Sequence, residues 1–83
     1  MKTRTDERIL AAIAANLTAA LDRRGWSIRE LSRKTGDPVM TIHAATSGRN
    51  LPKAGVLCRM ASALGMTADD LLKPPRKKKR RGA

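Results

Sequence analysis

Apolar residues at Ile9, Leu10, Ile13, Leu17 and Leu21 recur with the three-and-four spacing of one helix face. Thr5 stands ahead of them as a cap, and Asp6 and Glu7 fall in the first turn, where the positive helix end favours carboxylates. The pattern predicts a helix to about Arg24, stopped by Gly25, with Arg23 and Arg24 at its negative end. Ser27 followed three residues later by Glu30 has capping-box spacing, and Trp26 with Leu31 is the matching hydrophobic staple. A second helix therefore begins at Ser27 and ends near Thr35, before Gly36. Asp37-Pro38 opens a third, with Asp as N-cap and Pro in the first helical position, where its missing donor costs nothing. Ile42 and Ala45 face inward, and Gly48 ends that helix. Pro52 introduces a fourth over residues 53–64, with Ala54, Leu57, Ala61 and Leu64 as its inner stripe and Cys58 and Met60 flanking. Thr67 and Asp70 repeat the capping box for a one-turn helix that delivers Leu71 and Leu72 to the core; Pro74-Pro75 forbids continuation. No strand pattern interrupts this series. The expected fold is all-α, a compact five-helix domain over residues 1–73 followed by a tail over residues 74–83.

Charge changes the picture most. The chain of 83 residues carries a formal net charge of +11. Seven positive charges fall between Lys73 and Arg81, which leaves the folded body mildly basic and the tail strongly so. Beyond Arg76 nothing apolar is available for burial, so the tail is expected to be disordered in isolation. Excess positive charge speaks to partners rather than to fold, and nucleic acid is the first candidate. The single Trp, with no Tyr or Phe, disfavours modules that stack single-stranded bases on aromatic platforms. One Cys and one His exclude an internal disulfide and a zinc site, and no cofactor is implied. Cys58 reads as a small buried side chain on a helix. No apolar run approaches the ~20 residues that span a bilayer, and no signal-peptide core is seen, so a cytoplasmic location is expected. No Ser/His/Asp set or glycine-rich phosphate loop suggests catalysis, and the chain is read as not an enzyme.

The segment from Trp26 to Pro52, a short helix, a glycine turn and a second short helix closed by glycine, reads as a helix-turn-helix. Ser27, Leu31, Gly36, Thr41-Ile42 and Gly48, together with the downstream run Leu57 to Leu71, resemble the Cro and phage-repressor type of helix-turn-helix, the XRE family, over roughly residues 13 to 72. The resemblance implies a lambda-repressor-like bundle. Its recognition helix is Pro38–Ser47, with Val39, Met40, Thr41, His43 and Ala44 at base-contacting positions. It further implies phosphate contacts around Ile28, Arg29, Arg33, Lys34, Thr46, Ser47, Arg49, Asn50 and Lys53. Gly36 is expected where a Cβ would clash in the tight turn. The recognition positions depart from the family pattern: Val39, Met40 and Ala44 offer no hydrogen bonds to bases and touch only thymine methyls, leaving His43 as the polar reader of those four. Tail cations Arg76, Lys77, Lys78, Lys79, Arg80 and Arg81 are expected to contact DNA, along phosphates or in a narrow minor groove.

These readings converge on a small transcriptional regulator, a repressor of phage or prophage type, binding double-stranded DNA as a homodimer on an inverted repeat. Met66 and Leu72 are candidate dimer residues. Two other readings compete. One is an antitoxin-like or anti-repressor module whose apolar recognition face binds a protein partner. The other is a nucleoid-type binder of low sequence preference, driven by the tail.

Overall fold

A computed structural model of the chain describes residues 4–74. The helices are α1 (Arg4–Arg24), α2 (Ile28–Thr35), α3 (Val39–Thr46), α4 (Ala54–Ala63) and α5 (Ala68–Leu72), and among the described residues there is no strand. The expected all-α, five-helix fold is observed. Expectations for the tail beyond Pro74, including all six tail cations, lie outside the described residues.

The core is built from the predicted faces. Leu10, Ile13, Leu17 and Leu21 of α1 are buried, with Ala12 and Ala20 between them. Leu31 of α2, Ile42 and Ala45 of α3, and Leu71 of α5 join them. The long α1 packs on α3 and α5, α2 packs on α3 and α4, and α4 packs on α5. Each short helix is thus held by at least one other element, as helices of 8 residues or fewer require, because isolated helices of that length are unstable in water.

Local expectations were overridden at several points. Helix α1 already includes Arg4, the first described residue, so Thr5 lies inside the helix and is not its N-cap. At α2 the Ser27 hydroxyl accepts the Glu30 N–H at 3.1 Å. The Glu30 carboxylate turns instead to Arg33 at 2.7 Å and Lys34 at 3.8 Å, so only half of the capping box forms. The N-cap of α3 is Pro38, with no side-chain cap bond. Asp37 is buried and used elsewhere. On α4 the buried set is Val56, Leu57, Met60 and Ala61, continued by Leu64, whereas Ala54 and Cys58 are exposed. The buried face is wider and rotated because α4 meets both α2 and α5. Leu71 is buried but Leu72 is exposed, since consecutive residues on a helix point about 100° apart and only one can face the core. The Thr67–Asp70 box is complete: each backbone N–H donates to the other's side chain at 3.0 Å.

Candidate nucleic-acid interface

The turn between α2 and α3 is the joint that aims α3. Gly36 sits at φ +81° and its N–H donates to the Ser32 carbonyl at 2.8 Å. No atom beyond its neighbours lies within 4 Å of where a Cβ would stand. The glycine is therefore required by the left-handed backbone, not by the crowding expected from the sequence. The Ser32 hydroxyl donates to the Asp37 carbonyl at 2.6 Å, and the Asp37 N–H donates to the Thr35 hydroxyl at 3.2 Å. Across from them, Arg59 of α4 forks onto the Asp37 carboxylate, Nη2 at 2.7 Å and Nε at 3.1 Å. These charge-assisted hydrogen bonds hold the Asp37 carboxyl below the usual carboxylate range, against the opposing effect of its burial. The joint is thereby tied to α4, a contact 22 residues away in sequence.

Helix α3 is 8 residues long, about 12 Å from end to end. Ile42 and Ala45 fix its inner face in the core. Its outer face presents Met40, 81% exposed, Val39, 42% exposed, and an exposed His43; Thr41 and Ala44 are half-buried at its edge. All five positions assigned to base contact thus keep surface. A groove of about 500 Å³ runs between α3 and the following loop, lined on one side by Met40, Thr41 and Ala44 and on the other by Arg49, Asn50, Leu51 and Lys53. The structure brings these base-assigned and phosphate-assigned residues onto one surface. Leu51, 45% exposed, was not singled out from the sequence. The signal available was its place between Asn50 and Pro52, outside any helix, where no core position calls for a leucine.

The remaining phosphate-assigned residues differ in readiness. Arg29, Arg49 and Lys53 are exposed and form no ion pair among the described residues. Arg33 is engaged with Glu30, and Lys34 lies over the Trp26 ring, 4.8 Å from its centroid. Trp26 itself is half-buried against the core, with the Arg24 guanidinium 5.1 Å from the ring centroid. Ile28 also packs against the core and has no polar side chain to offer. The hydroxyls of Thr46 and Ser47 donate back to the carbonyls of Ile42 and His43, both at 2.8 Å. Their protons are committed to the helix, so neither side chain has a donor left for a phosphate, which itself only accepts.

A family model described as helix-turn-helix matches residues 17–71. Among solved structures, the crystal structure of a hypothetical transcription factor from Neisseria is similar with a TM-score of 0.77 and 31% sequence identity, covering 84% of this chain and 79% of that one. No curated protein matches the sequence. No described helix is long and apolar enough to cross a membrane, and no group of three metal-binding side chains occurs among the described residues.

Proposed function

Because the chain belongs to the Cro and phage-repressor (XRE) type of helix-turn-helix family and is a DNA-binding transcriptional regulator, we propose that it is a repressor of phage or prophage type that occupies a promoter in the cytoplasm or nucleoid. The observation that carries this reading is the presentation of α3. It is braced from behind through Ile42 and Ala45, exposed along Val39, Met40 and His43, and shares a groove with Arg49 and Lys53, which with the exposed Arg29 of α2 form no ion pair among the described residues. A helix is 10–12 Å across with its side chains, and the major groove of B-DNA is about 12 Å wide. In this reading α3 enters the groove while Arg29, Arg49 and Lys53 meet phosphates on its two sides. Two copies place their α3 helices in successive major grooves about 34 Å apart on an inverted repeat. The tail cations Arg76 to Arg81 add contacts that carry no sequence information.

The test is a fluorescence-anisotropy titration of the full chain and a 1–73 truncation against duplexes selected from a random pool, with scrambled controls at two salt concentrations. A palindromic site preferred by roughly a hundredfold or more over scrambled DNA is expected, a threshold set below the ~10³ to 10⁷ typical of sequence-specific regulators. Truncation should weaken all duplexes alike. If six tail cations each neutralise a phosphate, it should also reduce the salt slope by about five units. Binding without preference, abolished by the truncation, overturns the reading in favour of a tail-driven binder. The exposed apolar face of α3 would then belong to a protein partner.

A further inference from the structure

From the chemistry of the groove and of α3, we infer that the protein recognises its operator through pyrimidine C5 methyl groups, those of thymine, with Met40 as the principal reader and Val39 and Leu51 as its flanks. This rests on the DNA-binding reading above and states what α3 reads. Sequence discrimination in the major groove ordinarily uses forked donors and acceptors such as Arg on guanine or Gln and Asn on adenine. The outer face of α3 holds no such forked side chain: Val39 and Met40 are apolar, Ala44 is a methyl, Thr41 and His43 each offer a base a single hydroxyl or ring nitrogen rather than a fork, and the Ser47 hydroxyl proton is spent on the His43 carbonyl.

What that face does offer is apolar surface. Met40 stands 81% exposed in the first turn of α3, the part of a recognition helix that meets base edges. Leu51 stands across the groove from it, and Val39 lies beside it on the helix. These three are among the most exposed large apolar residues described. Met40 and Leu51 in a groove edged by Arg49, Asn50 and Lys53, with Val39 exposed on the helix beside it, match a target with a charged backbone and apolar points between its rails. Thymine is the only unmodified DNA base that presents a methyl group there. A methionine, unbranched and polarizable, adapts its contact to such a point.

The experiment replaces thymine by uracil, which deletes the methyl and leaves the base-pairing edge unchanged, one position at a time across the selected operator. Loss of one buried methyl is expected to weaken binding about fourfold at the positions facing the first turn of α3, with no effect at flanking positions. Met40→Ala, at a surface site where thermal unfolding should be unchanged, is expected to bind thymine and uracil duplexes with nearly equal affinity. A preferred operator that tolerates every uracil substitution overturns this inference and leaves the DNA-binding reading intact. So does a Met40→Ala variant that keeps the full thymine preference, because the effect would then come from DNA shape. A parallel selection from a pool built with 5-methylcytosine in place of cytosine separates the two sources of the methyl. An operator that requires methylcytosine overturns the assignment to thymine. Absence of any preferred duplex overturns both readings together.

Discussion

Asp37 shows most sharply how a single residue can be misread from its neighbours. An aspartate before a proline has every local reason to cap a helix, yet its carboxylate turns away to Arg59. The signal for that pairing is absent from the local sequence, since the partner lies on another helix. The pair is also unequal: the Asp37 side chain is 10% exposed and that of Arg59 51%. Arg59→Ala strands a carboxylate away from water, whereas Asp37→Ala returns a half-solvated guanidinium to it. Arg59→Ala should therefore lower the thermal midpoint more, by roughly 4–8 °C, and calorimetry of the two variants checks the order. Because the folded-state pKa of Asp37 is depressed, the stability it contributes is present above the ordinary carboxylate range. It is lost as pH falls through the lowered value. In Arg59→Ala the acid-unfolding midpoint should move to higher pH, and an unchanged midpoint would deny the pair any part in acid stability.

At the level of elements, the five helices were legible because their ends carry local chemistry. Ser27, Gly36, Thr67 with Asp70, and Gly48 mark boundaries by groups that act within one turn. How the elements join was not legible. Helix α5 has only 5 residues, and its attachment to α1 runs through Asn16, whose Nδ2 lies 3.2, 2.8 and 2.7 Å from the carbonyl oxygens of Asp70, Leu71 and Lys73. Nothing in the periodicity of α1 distinguishes that asparagine from any other polar residue on the helix. Asn16→Ala should destabilise the domain by about 1–2 kcal/mol. Asn16→Asp should cost more, because a carboxylate only accepts and would face three carbonyls. Urea unfolding with an unchanged slope and a lowered midpoint is the expected result for both. The candidate site divides in the same way. The inward face of α3, Ile42 and Ala45, followed from the apolar pattern and its outer face from the family resemblance, while the place of Leu51 depended on how the loop folds back beside Met40.

For the whole molecule, charge is organised by what already occupies each cation. Glu30 takes up Arg33 and Lys34, Asp37 takes up Arg59, and Asp69 with Asp70 lies near Lys73. Arg29, Arg49 and Lys53 carry no such partner among the described residues. A count of basic residues therefore overstates what the folded body can offer to phosphates, which is why composition alone could not rank them. Replacing Arg49 by Ala should reduce the salt slope of DNA binding by about one unit. Arg33→Ala should change it less, because that guanidinium must first leave Glu30. Titrations of both variants over a series of salt concentrations give the comparison, and equal slopes would mean that the pairing with Glu30 dissolves on the DNA.

The indole of Trp26 gives the protein a built-in optical gauge. With no tyrosine and no second tryptophan in the chain, its ultraviolet emission comes from one ring, and that ring has the Lys34 ammonium 4.8 Å from its centre. A phosphate that draws the ammonium off the ring alters the charge beside the emitter, so the colour and brightness of the unlabelled protein record whether this end of α2 has met the backbone. Engagement of α2 can thus be followed separately from the insertion of α3, without attaching a dye to either molecule.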